Sequence, residues 1–209
     1  MDVTEARSIA GSLSEPSKLP GHSYGLPARE CITGRKLVGV AGSTCANCYA
    51  FKGMYRTFAY VINPAQYKRL RSITHPDWVA AMVTLIRASG DTVFRWHDSG
   101  DIQSLAHLRR IALVAELLPG VQFWLPTREY AFVRQFCAID GLFPNNLVVR
   151  LSAHMVDGPV PDICGLPTSR VHTVDPIGFA CPARAQGNVC GDCRACWDSS
   201  VRHVSYHLH

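Results

Sequence analysis

Six of the nine cysteines fall into two sets that could do chemistry together. The first is Cys45-Ala-Asn-Cys48-Tyr49. The second begins at Cys181-Pro182 and continues as Cys190-Gly-Asp-Cys193-Arg-Ala-Cys196-Trp197. Three cysteines, each two residues from the next, place three sulfurs on one short loop, within reach of neighbouring vertices of one metal centre. Core packing gives no reason for that spacing. The chemistry is thiolate ligation, either of structural zinc or of an iron–sulfur cluster.

The two metals make different demands on the same residues. Zinc takes two Cys-x2-Cys pairs on opposed knuckles, which Cys45/Cys48 and Cys193/Cys196 could supply, leaving Cys190 unused. A cluster uses Cys190, Cys193 and Cys196 on different irons and adds a distant fourth cysteine. Cys181-Pro182 is the kind of dipeptide that carries the fourth ligand in bacterial ferredoxins. A 4Fe-4S cluster is therefore the expected cofactor, with zinc as the alternative. Two ligand sets remain open: Cys181, Cys190, Cys193 and Cys196 alone, or a set that draws in Cys45 or Cys48. Cys31, Cys137 and Cys164 stand apart. Cys137, between Phe136 and Ile139, reads as a small buried hydrophobe, and Cys31 as a seventh candidate ligand.

The elements that must position these residues alternate. Residues 1–30 are rich in Ser, Pro and Gly and read as an extended lead-in. Lys36 to Ala41 is a short apolar run that reads as the first strand, with the first cysteine pair directly after it. Phe51 to Leu70 reads as helical, with Pro64 ending one helix and opening another. Pro76 to Ser89 is a helix stopped by Gly90. Thr92 to Trp96 reads as a strand. Ser104 caps a helix with Leu105, Leu108, Ile111, Ala112 and Ala115 at helical spacing. Val121 to Leu125 is a strand, Tyr130 to Ile139 a helix, Leu147 to Leu151 a strand, and Arg170 to Val174 another. Strands separated by helices argue for βαβ units and a parallel sheet. No Gly-x-Gly-x-x-Gly follows the first strand, which speaks against a dinucleotide-binding sheet. The expected fold is α/β, a compact or partial (β/α) TIM-like barrel. In a single domain, residues 31–175 would form the barrel and 176–209 a cysteine-rich tail closing on its mouth.

Active faces of parallel β/α folds lie at the C-terminal ends of the strands. There this chain carries Arg95, His97, Asp98 and Asp101 after one strand, and Trp124, Thr127 and Arg128 after the next. Arg150, Ser152 and His154 finish another strand; His172 and Asp175 lie on or after the last. Arg95, Arg128 and Arg150 are candidates for binding an anionic ligand, while His97, Asp98 and Asp101 are candidates for moving protons. Each has a plainer reading as well. Arg95 and Arg150 could be interior strand residues paired with Asp98 or Asp101, and His97 could simply hold a loop.

With 209 residues and 47% apolar composition the chain can bury one sizeable core. No stretch of about eighteen apolar residues exists, so no membrane span is expected. The N-terminus lacks the apolar stretch of a secretion signal. A cytoplasmic protein with reduced thiols is the expectation. The 21 basic and 16 acidic residues leave a formal charge of +5, which about two negative charges on a thiolate-bound cubane would reduce. Lys68-Arg69-Leu70-Arg71 reads as a solvated helix face, and no nucleic-acid role is assigned.

Two resemblances attach to these motifs. Cys45-Ala-Asn-Cys48-Tyr49 after a first strand resembles the end of the radical S-adenosylmethionine signature, Cys-x3-Cys-x2-Cys-aromatic, although Ala41 stands at its first cysteine. The closer resemblance is to the phage-encoded gene product eighty-eight family. It is carried by Cys45 to Ala50, Arg95-Trp-His-Asp-Ser-Gly-Asp101, Thr127-Arg128, and the segment from Cys181 to Trp197. That resemblance implies a phage or prophage origin, expression in a bacterial cytoplasm and a cysteine-bound metal centre, but no reaction. The function expected is a 4Fe-4S protein with a redox or ligand-binding site at the barrel mouth, its partner an anionic small molecule or a host protein. One alternative is a structural or interaction protein stapled by its metal. Another is a radical S-adenosylmethionine-like enzyme.

Overall fold

A computed structural model describes residues 1–208. Helix α1 (Val3–Ala10) is capped by the Asp2 carboxylate, which accepts from the Glu5 N–H. It is followed by the two-residue strand β1 (Ser23–Tyr24), α2 (Ile32–Leu37), α3 (Gly53–Thr57), α4 (Ala59–Ser72) and α5 (Trp78–Ser89). Gly90 stops α5 with φ at 73°, a left-handed conformation suited to glycine. Next come β2 (Val93–Trp96), α6 (Leu105–Leu117), β3 (Gln122–Thr127), α7 (Tyr130–Ile139) and β4 (Leu147–Ser152). The Ser104 hydroxyl caps α6 by accepting from the His107 N–H. Strands β5 (Thr168–His172), β6 (Phe179–Ala180) and β7 (His203–His207) complete the chain.

The seven strands form one all-parallel sheet in the order β1-β2-β3-β4-β5-β7-β6. β1 and β6 each have one neighbour, so the sheet stays open and does not close into a barrel. From β1 to β5 spatial order follows chain order. Right-handed crossovers then put the connecting helices on one face. Phe94, Trp96, Phe123, Leu125, Leu147, Val149 and Leu151 point into that helix-covered core. The alternate residues Val93, Trp124 and Val204 face the other way and pack with Ala195, Cys196 and Trp197. The cysteine-rich segment thus covers the sheet face that has no helices.

Four expectations need correction. Lys36 to Ala41 is not a strand: it is the end of α2 and a turn, with the Val38 N–H bonded to the Gly34 carbonyl. Val38 and Val40 are exposed, and a valine-rich run without a packing surface has no reason to be a strand. The break between α3 and α4 falls at Phe58, while Pro64 sits inside α4 on its solvent side. The lead-in and the tail both belong to the sheet, since residues 1–30 contribute α1 and β1, and β7 from the tail lies between β5 and β6. Arg69 is not solvated. It is buried, donating to the Ser12 and Gly25 carbonyls and to Ser14 Oγ, and so ties α4 to the lead-in. Among the described residues no helix is long and apolar enough to cross a membrane.

Candidate metal centre and binding cavity

A cavity of about 690 Å³ opens beside the C-terminal ends of the strands, and Cys31, Cys45 and Cys48 share its wall. Local hydrogen bonding explains how three separate positions meet. Cys31 immediately precedes α2, whose first turn is fastened to α7 because Thr33 donates through N and Oγ1 to the Glu129 carboxylate, each at 2.8 Å. Cys45 lies in the 3₁₀ turn Thr44–Asn47, where Ser43 Oγ accepts from the Ala46 N–H and the Cys48 N–H reaches the Cys45 carbonyl at 3.1 Å. The turn hangs on the end of β4 through the Thr44 N–H, which donates to the His154 carbonyl at 2.9 Å. A Cβ at Gly34 would lie 3.6 Å from both the Cys31 and Cys45 sulfurs, so those sulfurs are within about twice that distance of each other. Burial pushes the Cys31 and Cys45 thiols up; beside Cys45, the Arg128 guanidinium works in the opposite direction.

Arg95, His97, Asp101 and Arg128 line the same cavity. Arg95 stacks over Trp124 at 4.5 Å and donates from Nη2 to the Tyr49 hydroxyl at 3.3 Å. His97 takes φ of 58°, and its Nδ1 lies 3.1 Å from the Tyr24 carbonyl. A carbonyl only accepts, so Nδ1 carries the proton and Nε2 keeps its lone pair. That Nε2 is buried and has no protein partner. Burial lowers His97 to about 4, which leaves the ring neutral near neutral pH. Asp101 moves the other way, raised by burial to about 6 even though it accepts from Thr127 Oγ1 at 2.6 Å and from the Arg128 and Ile102 N–H groups. Asp98 accepts from the Tyr55 hydroxyl at 2.7 Å and does not line the cavity.

Arg150 does something other than the sequence suggested. It is fully buried and pairs with neither Asp98 nor Asp101. Nη1 donates to the Thr168 and Val201 carbonyls and Nη2 to those of Ala195 and Asp198, at 2.9 to 3.1 Å. Its fork clamps the last cysteine turn to the sheet, and the cavity wall does not include it. His172 and Asp175 are also outside the wall, whereas Ser152 is on it. His154 stacks on Tyr130 at 4.5 Å.

The C-terminal cysteines form a second group, none of which lines that wall. The Cys181 N–H donates to the Ser205 carbonyl of β7, the Cys190 N–H to Lys18, and the Cys193 N–H to Cys190. Cys196 Sγ lies 3.1 Å from the Tyr206 hydroxyl. Burial raises Cys181, Cys190 and Cys196, the last to about 12; Cys181 adds to the rise at Cys190 and Cys196, and Cys193 to that at Cys181 and Cys190. Asn188 and Gly191, at φ of 63° and 52°, turn the loop back on itself. Among the described residues no three His, Cys, Asp or Glu side chains converge on a point suited to a single metal ion. Ligands of one zinc must all lie about 2.3 Å from the same centre, while a cluster spreads its thiolates over several irons. Four thiols on one loop are donors that either group accepts.

Cys137 is only partly buried but packs against the core, and burial pushes its thiol up to about 12. Tyr49, Tyr206 and Arg35 are wall residues that sequence reasoning missed. Tyr49 had a signal, directly following Cys48, but Tyr206 lies in a strand with little apolar character.

The family model described as Gene product 88 matches residues 3–199, and the chain belongs to that family. No curated protein and no solved structure matches it.

Proposed function

We propose that this Gene product 88 family member is an iron–sulfur protein of the bacterial cytoplasm in which its phage is expressed. In this reading Cys181, Cys190, Cys193 and Cys196 hold a 4Fe-4S cluster, and the neighbouring cavity binds an anionic small molecule through Arg95 and Arg128. The observation that carries it is the all-thiol loop clamped over the bare sheet face by Arg150. Such a cluster supplies one-electron transfer at a potential set by hydrogen bonding to its sulfurs and by exposure. The Tyr206 hydroxyl beside Cys196 is one such hydrogen-bonding group. All nine cysteines are free thiols, available as ligands.

The anion site rests on charge and on open hydrogen-bonding capacity. Arg95 and Arg128 each keep a buried Nε–H without a protein acceptor, and a buried donor left unpaired costs about 1–3 kcal/mol. A carboxylate or phosphate entering the cavity would relieve that cost.

The test is purification without oxygen followed by iron, sulfide and zinc analysis of the wild type and of Cys193→Ser. Iron with equimolar sulfide in the wild type, falling in Cys193→Ser, supports the assignment. One zinc and no sulfide would replace it with a zinc staple. Arg95→Ala should keep its metal and lose affinity for small anions. Undiminished anion binding would leave a stapled interaction protein as the better reading.

A further inference from the structure

We infer that Cys31, Cys45 and Cys48 hold a second iron–sulfur cluster, bound by three protein thiolates, with one iron left open to the cavity for an anionic, carboxylate-bearing chelate. The inference deepens the iron–sulfur reading but rests on different cysteines, so the two can fail separately.

The geometry begins with the three thiols. They share one wall, and come from the residue before α2 and from one 3₁₀ turn with the residue that closes it. Gly34 faces both Cys31 and Cys45, and any side chain there would enter the space beside their sulfurs. Its Cβ would also stand 2.9 Å from the Cys31 Cβ, closer than packed side chains allow. The position is kept clear where a cluster would need room.

A fourth protein ligand is not at hand. Neither Cys137 nor Cys164 nor any of the four C-terminal cysteines lines the cavity. The Asp101 carboxylate, on the same wall, already accepts three hydrogen bonds. His97 Nε2 is unpartnered, but its ring lies against the rings of the buried Trp96 and His107, at 6.1 and 5.4 Å. Three thiolates on a four-iron cluster leave one iron to bind something else.

The surroundings decide the chemistry of that ligand. Arg29, Arg35, Arg95, Arg128 and Arg170 border the cavity, against the single carboxylate of Asp101. An anion is favoured, and a carboxylate can chelate iron with one oxygen while its charge meets an arginine. The two cysteine groups are also bridged by side chains. Tyr49, directly after Cys48, accepts from Arg95; Arg95 stacks on Trp124, and Trp124 packs edge-on against Trp197, directly after Cys196, at 5.2 Å. This bridge keeps the groups apart and gives an electron a packed route between them.

The experiment uses the full chain, reconstituted with iron and sulfide without oxygen. Wild type, Cys31→Ala/Cys45→Ala/Cys48→Ala and Cys190→Ala/Cys193→Ala/Cys196→Ala are compared by iron and sulfide content. About eight irons in the wild type and about four in the first variant are expected. About four irons in the wild type, all retained in the first variant, would overturn the second cluster. Loss of all iron in both variants would mean one shared cluster and would overturn it equally. Should the first variant fail to fold, wild-type iron content and paramagnetic resonance of the reduced wild type still decide. Citrate and S-adenosylmethionine, a hydroxycarboxylate and an α-amino carboxylate, are added separately. A shifted signal with either supports the open iron and identifies which carboxylate class it takes. No shift with either would overturn the open iron.

Discussion

The Trp197 indole N–H donates to the main-chain carbonyl of Phe94, 103 residues earlier, at 2.9 Å. One hydrogen bond thus joins the last cysteine turn to the centre of β2, next to Arg95. Trp197 is almost fully buried and lies edge-on to Trp124. Trp197→Phe keeps most of the ring but removes the donor, and should cost about 1 kcal/mol. Trp197→Ala also leaves a cavity and should cost about 3–5 kcal/mol. Urea unfolding of both variants measures the difference; equal losses would show that the hydrogen bond, not the packing, dominates.

Arg150 makes a sharper prediction because its side chain touches only carbonyls. Arg150→Met fills much of the same volume and leaves four carbonyl acceptors, two of them buried, without their donors. Each orphaned group costs about 1–3 kcal/mol, so a total loss of roughly 3 kcal/mol or more is expected. Arg150→Lys keeps the charge but not the fork, and should recover only part of it. Thermal melting together with iron content checks this. A lysine variant indistinguishable from wild type would show that charge alone matters there.

The middle of the fold was legible from sequence and its two ends were not. From β2 to β5, apolar spacing and the signals at Ser104 and Gly90 locate each element to within about two residues. Lys36 to Ala41 misled because valine and glycine density mimics a buried strand, although nothing covers that segment. β7 was illegible for the opposite reason. His203-Val-Ser-Tyr-His207 has one aliphatic residue, and it becomes a strand because Ser205 and Val204 are buried between β5 and β6. At the site, the spacing of Cys45 and Cys48 was visible. Their nearness to Cys31 depends on the Thr33–Glu129 contact, which joins positions 96 residues apart.

His97 should make stability depend on pH. Its folded-state value, about 4, lies below the ordinary histidine value, so between the two the unfolded chain binds a proton that the folded chain refuses. Stability therefore rises with pH across that window and falls on acidification. His107, also lowered by burial, acts in the same sense, while Asp101, raised to about 6, acts in the opposite sense over most of the window. His97→Asn tolerates the left-handed backbone at this position. It should flatten the wild-type slope, removing roughly 1–2 kcal/mol of the difference between about pH 7 and about pH 5. Denaturant titrations at both pH values decide, and an unchanged slope would mean that His97 is protonated in the folded protein.

Gly34 offers a way to disturb the Cys31, Cys45 and Cys48 group without touching a thiol. Its backbone is ordinary α2 helix, so a larger residue is opposed mainly by what its side chain meets. That is the Cys31 Cβ at 2.9 Å and two sulfurs at 3.6 Å. Gly34→Val forces a local shift at Cys31, while helix propensity improves, so the rest of the fold should hold. The variant should lose about half of the wild-type iron and sulfide, those of the cavity-side cluster, and keep the rest on the C-terminal loop. Metal analysis beside circular dichroism separates the outcomes. Full iron content in a folded Gly34→Val would mean that the space beside Cys31 and Cys45 is not where a cluster sits.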